Sequence, residues 1–325
     1  MAGNAPRPAG DVLCGPAAGA YVKAITPVEE RDMEQDLGTL NRQAIAAARE
    51  YTGELAWPTV LLVVLVLAGM AATLALFAAG SLPLWAAIPL YGALTYFSYT
   101  PLHEAAHGNI HGGNDRLKWL NDLCGYLVAP LIAVPYSTHT VEHFTHHRYT
   151  NQPDKDPDFV VSGMRGGLVA FVVHAVRFLW MQNVFLFREH WATMARRERL
   201  IYWAEIAVSL GWRITFVLLA ARESALVLLL AGYLVGAFFT AYWFAYRPHH
   251  PYEDAARYRN TSSLIMPAWL KPVEWFWLGQ NLHSIHHLFP RLPFYRYHAL
   301  HRRIEPIMRA HGTPIIGLLS RSPVD

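Results

Sequence analysis

Between residues 55 and 102 the chain carries no charged side chain. That run is about twice the ~20 residues one helix needs to cross a bilayer, so it predicts two spanning helices. Gly80-Ser81-Leu82-Pro83 marks the break, because glycine and proline end one helix and let the next begin. A second pair is predicted over 201–220 and 225–246, split by Ala221-Arg222-Glu223-Ser224, and Glu205 and Arg213 make the first of these the weakest span. Apolar stretches at 123–136 and 168–181 fall below spanning length and contain Pro130 and Pro135, or His174 and Arg177, which predicts re-entrant or interfacial segments. Ahead of the spans, Thr26-Pro27-Val28-Glu29 has capping-box spacing, and Leu37, Leu40, Ala44 and Ile45 recur at helical intervals, so a helix on the membrane surface is expected there. Residues 1–25, rich in Ala, Pro and Gly, read as a disordered tail.

The predicted fold is therefore an all-α integral membrane protein, with four transmembrane helices and a helical cap on one side. Its expected division is an N-terminal tail and surface helix at 1–54, a membrane domain at 55–315 and a C-terminal tail at 316–325. Composition agrees, since 53% of residues are hydrophobic and only 16% charged. Four spans leave nearly all Lys and Arg on the side that holds residues 103–200 and the segment after 246, and the two opposite turns hold only Arg222. Positive charge marks that side as cytoplasmic, in a bacterial inner membrane. A net charge of +3 gives no reason to expect nucleic acid as a partner.

Two cysteines, Cys14 and Cys124, lie far apart in unlike contexts, so any metal must be held by other residues. The 17 histidines supply the candidates. His103 and His107 are spaced i, i+4 where the second span ends, which puts both rings on one helix face. His143, His146 and His147 are spaced i, i+3, i+4, and His283, His286 and His287 repeat that spacing. Eight imidazoles on one membrane side exceed the four ligands of one structural zinc and imply a dinuclear centre. His249, just after the fourth span in Pro248-His249-His250-Pro251, is a ninth candidate, with His250 as its competitor. His139 and His111 extend the histidine spacings but stay outside the ligand set. Rings that bind metal need their other nitrogen fixed, commonly by a carboxylate. Glu104, Glu142, Asp154, Asp156 and Asp158 are the nearby carboxylates, and Asn281 lies beside the third cluster. A metal transporter is disfavoured, because transport sites lie near the bilayer midplane and these clusters fall outside the predicted spans.

In these motifs the chain resembles the membrane fatty-acid desaturase superfamily, across residues 55–315, and within it the cyanobacterial-type β-carotene 3-hydroxylases. The residues that carry this are 103–108, the run 143–158 with its Asn-x-Pro-x-x-Asp-Pro-Asp ending, Pro248 to Pro251, 281–290 and 292–297. His250 departs from the branch, which often has Arg there. The resemblance implies a di-iron centre held by His103, His107, His143, His146, His147, His283, His286 and His287, with His249 as a further ligand. It also implies O2 as co-substrate and an apolar substrate dissolved in the membrane. Iron fits that chemistry and zinc does not, because zinc has no redox chemistry. The implied reaction is hydroxylation of β-carotene to β-cryptoxanthin and zeaxanthin. An acyl-lipid desaturase or a carotenoid 4-ketolase would use the same ligand spacing, since the outcome depends on which carbon is held at the metals. No haem domain or Cys-ligated iron–sulfur motif is evident in the chain, so electrons are expected from a ferredoxin-like donor.

Overall fold

Helix α1 (Pro27–Arg49) opens the part of the chain that the structure, a computed structural model, describes, which is residues 27–220 and 223–318. The expected tail at 1–25, Thr26, Ala221, Arg222 and most of the C-terminal tail lie outside the described residues. Ala44, Ala47 and Ala48 of α1 are buried in the core of the cap instead of lying on the membrane surface. Small side chains let this helix pack closely on protein, which the helical spacing alone does not distinguish from packing on lipid.

Helices α2 (Trp57–Ala78) and α3 (Leu84–Ala106) form a hairpin whose turn uses Gly80 at φ 76°, a left-handed conformation that glycine adopts without a Cβ clash. Next come α4 (Lys118–Ile132) and α5 (Tyr136–Tyr149), bent from one another by 96°. Helix α6 (Leu168–Phe185) continues through a π-turn to His190, and α7 (Arg196–Ala220) and α8 (Glu223–Thr240) follow. A π-turn, Ala241–Tyr246, closes α8. In the cap, strand β1 (Ser263–Ile265) pairs in parallel with β2 (Ile315–Gly317), and α9 (His283–Leu288) and α10 (Tyr297–Ala310) lie between them in sequence. Residues 316–318, expected to open a C-terminal tail, are thus part of the cap.

By length and composition, the helices able to cross a membrane among the described residues are Trp57–Ala78, Leu168–His190, Arg196–Ala220 and Glu223–Tyr246. This set differs from the expected one by including α6 and leaving out α3. Connectivity resolves the difference. His249, just past α8, and His103, at the end of α3, both belong to the histidine cluster, so both helices end on one side. Ala56 N–H bonds Ile110 O at 3.0 Å, which starts α2 on that same side. Since α7 and α8 join through residues 221–222, α7 also begins there. Helix α6 folds back along residues 157–166, with His174 Nδ1 2.6 Å from Val160 O and Gln182 Nε2 3.3 Å from Asp158 Oδ1, and its Phe171 and Phe178 both cluster with residues 238–246 at the histidine-side end of α8, so it runs across that end of the bundle. It lies in the interface, and α2, α3, α7 and α8 are the four spans.

Helix α3 looks less apolar because it faces protein: Tyr91, Thr95, Tyr96, Ser98, Tyr99 and Thr100 are all buried. It meets α8 through glycine. A Cβ on Gly236 would come 2.5 Å from Gly92 O, and one on Gly232 would come 2.7 Å from the Tyr91 ring. This small-xxx-small contact lets two backbones approach closely where lipid offers no hydrophobic drive.

Candidate metal centre

Four elements aim imidazoles at one buried volume. The end of α3 supplies His103 and His107, α5 supplies His143, His146 and His147, the segment after α8 supplies His249, and α9 supplies His283, His286 and His287. The one-sided spacing i, i+3, i+4 makes this possible on α5 and α9, because one face carries all three rings.

The rings fall into two groups. His103, His107, His143, His147 and His286 bring five ligand nitrogens within 4.8 Å of one another, and His146, His249 and His287 form a second such set. His283 joins the second, its Nε2 lying 3.1 Å from Nε2 of both His249 and His287. In the first group His286 Nε2 is 3.0 Å from His103 Nε2 and 2.8 Å from His147 Nε2. His250 belongs to neither group. Of the two neighbours after α8, His249 is the one the fold turns inward.

These nitrogens cannot satisfy one another. A neutral imidazole has a single N–H, so several ε nitrogens that face each other are mostly lone pairs. Burial, reinforced by repulsion from neighbouring rings, holds His143, His147, His249, His286 and His287 well below the ordinary histidine pKa. Burial takes His283 down to about 3. His107 Nε2 is buried with no hydrogen-bond partner. Converging neutral lone pairs with a shortage of protons form a donor set suited to metal cations.

The outer nitrogens are oriented by the cap. Asp156 Oδ1 accepts from His146 Nδ1–H at 2.8 Å, which frees His146 Nε2 to face the second group. Burial opposes a charge on His146, but Asp156 and Asp158 outweigh it and lift the pKa to about 9. His249 Nδ1 lies 3.3 Å from Asn151 Oδ1, and that amide is held in place because its nitrogen donates to Asp254 O and Asn260 O, each at 2.8 Å. His286 Nδ1 is 3.1 Å from the Tyr297 hydroxyl.

The carboxylates singled out from sequence are distributed differently. Asp158 lies 3.7 Å from His146 Nδ1, whereas Asp154 is exposed, in a turn that points to solvent. Glu104 accepts from the Asn109 amide at 3.1 Å and from Phe294 N–H at 3.3 Å, which ties α3 to the cap. Glu142 is buried beside Asp158, and burial raises its pKa to about 7. Asn281 donates to Leu264 O at 3.0 Å and braces β1. Sequence reasoning missed Asn151 and Tyr297 as partners of rings. Both lie within stretches that carried the resemblance, at 143–158 and 292–297, but neither is a carboxylate.

His139 is fully buried behind the first group, with Nδ1 3.0 Å from Gln182 Oε1. Tyr99 stacks between His103, at 5.8 Å, and an apolar cleft on its other side. That cleft is narrow, with a volume of about 20 Å³, and is lined by Thr95, Tyr99, Ile132, Val134, Phe178 and Ala237, among others.

Known proteins resemble this chain in sequence. The chain is 28% identical to a zeaxanthin 4-ketolase of Chlamydomonas reinhardtii over 65% of its own length and 43% of that protein. It is 27% identical to a beta-carotene ketolase of Haematococcus lacustris, over 62% of this chain and 58% of the relative. It is 22% identical to an sn-1 oleoyl-lipid 12-desaturase of Anabaena variabilis, over 68% and 69%. The match thus spans about half the length of the two ketolases. A family model for fatty acid desaturases matches residues 79–318, which include every histidine of both groups, and the chain belongs to the fatty acid desaturase family.

Proposed function

We propose that this chain is a di-iron membrane oxygenase that hydroxylates the β-ring of a carotenoid, taking β-carotene through β-cryptoxanthin to zeaxanthin. The observation that carries the reading is the pair of buried histidine groups, whose ε nitrogens converge without enough protons to satisfy them. One iron would be held by His103, His107, His143, His147 and His286, the other by His146, His249, His283 and His287. Iron so held supplies the reductive activation of O2 and the redox chemistry needed to break an unactivated C–H bond.

The chain's own residues do the rest. Asp156, Asn151 and Tyr297 hold ring orientation, so the ligand geometry does not have to form anew in each turnover. Tyr99 and Phe244 cover His103, with ring centroids at 5.8 and 5.6 Å, and keep water off the side that faces the bundle. The apolar lining of the narrow cleft beside Tyr99 suits an apolar ring that approaches from the bilayer, and the cleft would have to widen to admit one. Electrons come from a ferredoxin-like donor on the histidine face, which we place in the cytoplasm of a bacterial cell. Arg303 is engaged with Glu50, which leaves Arg291 and Arg302 as exposed cations to receive it.

The names of the two ketolase relatives favour a second reading, in which carbon 4 of the same ring is oxidised. Pigment and lipid extraction from a β-carotene-accumulating bacterium that expresses the chain separates the readings. Zeaxanthin that carries one oxygen atom from O2 per hydroxyl is the expected product. Keto-carotenoids would move the reaction to carbon 4, and new double bonds in acyl chains with untouched carotenes would replace both readings with an acyl-lipid desaturase.

A further inference from the structure

Helix α5 supplies histidines to both groups, yet it starts inside the bundle at a sharp elbow. Helix α4 runs in toward α7 and ends at Ile132, Ala133 takes a left-handed φ of 53°, and α5 begins at Tyr136 after Pro135. An elbow at this depth leaves two sets of backbone groups without helical partners: carbonyls at the end of α4 and amides at the start of α5. Pro135, at the N-cap of α5, offers no side-chain bond.

Both needs are met by α7. Glu205 Oε1 accepts from Tyr136 N–H at 2.6 Å, and the same carboxylate bonds the Ser137 hydroxyl. Eight residues further along, about 12 Å by helical rise, Arg213 donates to Pro130 O at 2.7 Å and to Leu131 O at 3.0 Å. Trp212 Nε1 adds a bond to Pro130 O at 3.2 Å. An anion therefore sits at the positive end of α5 and a cation at the negative end of α4, the signs that helix dipoles favour. Charged groups in a span are costly, and these two act on backbone that lipid cannot satisfy.

We propose that Glu205 and Arg213 are positioning residues for the metal centre: together they clamp the α4–α5 elbow to α7, and so set the depth and rotation at which α5 presents His143, His146 and His147. Neither touches a histidine ring in the contacts described above, and each acts through the backbone of the elbow. The proposal rests on the two histidine groups being a metal centre.

Protein stripped of metal in detergent is titrated with Co(II), and the visible bands of the bound ion report ligand geometry. Glu205→Leu and Arg213→Leu are expected to weaken Co(II) binding about tenfold or more and to shift the bands, on the scale seen when groups that orient ligands are removed. Glu205→Gln, which keeps an acceptor for Tyr136 N–H but loses the charge, should fall between Leu and wild type. Leu210→Ala, on the lipid-facing side of α7, should match wild type. Affinity and bands equal to wild type in both Leu variants overturn the proposal. If Glu205→Leu does not accumulate, Glu205→Gln decides, and wild-type affinity there overturns it equally. Wild-type protein that binds no cobalt would instead defeat the metal-centre reading beneath it.

Discussion

Asp156 and Asp154 lie two positions apart in one Pro-rich turn, and the fold gives them opposite surroundings. Asp156 is buried with His146 Nδ1 at 2.8 Å, and Asp154 faces water. Asp156→Ala is expected to lower metal affinity about 10–100-fold, because His146 would lose the partner that fixes its tautomer. Asp154→Ala should leave affinity unchanged, and metal titration of the two variants tests the pair. Equal losses in both would mean that the turn acts as a unit. Removing a ring should cost more: His143→Ala and His286→Ala should each lose iron while the protein still inserts, as measured by metal analysis of purified protein. The histidines were legible because i, i+3, i+4 spacing survives in the bare sequence. The choice among neighbouring carboxylates was not, since turn geometry decides which side chain points inward.

At the scale of elements, the ends of α3 and α8 each bring histidines to one of the two groups, and their approach depends on Gly92, Gly232 and Gly236. Gly236→Leu would drive a branched side chain into the α3 backbone, and overpacking of this kind costs about 1–3 kcal/mol. A lower Tm in detergent and reduced iron content are the expected outcome. Unchanged values would show that the two helices need not pack so closely. The hairpin turn at Gly80 was visible in advance from its glycine and proline. The identity of α3 as a span was visible only from its missing charges, because its Tyr, Thr and Ser side chains mask the apolar signal that lipid contact would have imposed. For α6 the error of composition runs the other way: Leu168, Val169, Val172 and Val176 are exposed apolar side chains on a helix that does not cross.

For the whole molecule, the connectivity makes a topological claim that hydropathy does not. Cysteines introduced at exposed positions near 150 and 285, Asp154 and Arg291, and at Ala192 should be labelled from the same side, and one at Ser224 from the other. Labelling of position 192 from the Ser224 side would make α6 a span and break the common face of the histidines. The proposed cytoplasmic sense of that face rests separately on Lys and Arg, and labelling in intact cells against inverted vesicles tests it directly.

Periodicity and charge reach only as far as neighbours along the chain. They were enough to specify the all-α membrane class, the α2–α3 break, the one-sided histidine spacings and the side on which they gather. The partition of nine rings into two groups, the choice of His249 over His250, and the roles of Asn151 and Tyr297 required the packed molecule. They depend on contacts between segments 11 to 183 residues apart, such as His286 with Tyr297 or His103 with His286. Glu205 and Arg213 show the limit best. In sequence they weakened a predicted span, and in three dimensions they sit on the elbow beside them, because a charge inside a membrane has meaning only through the group it faces.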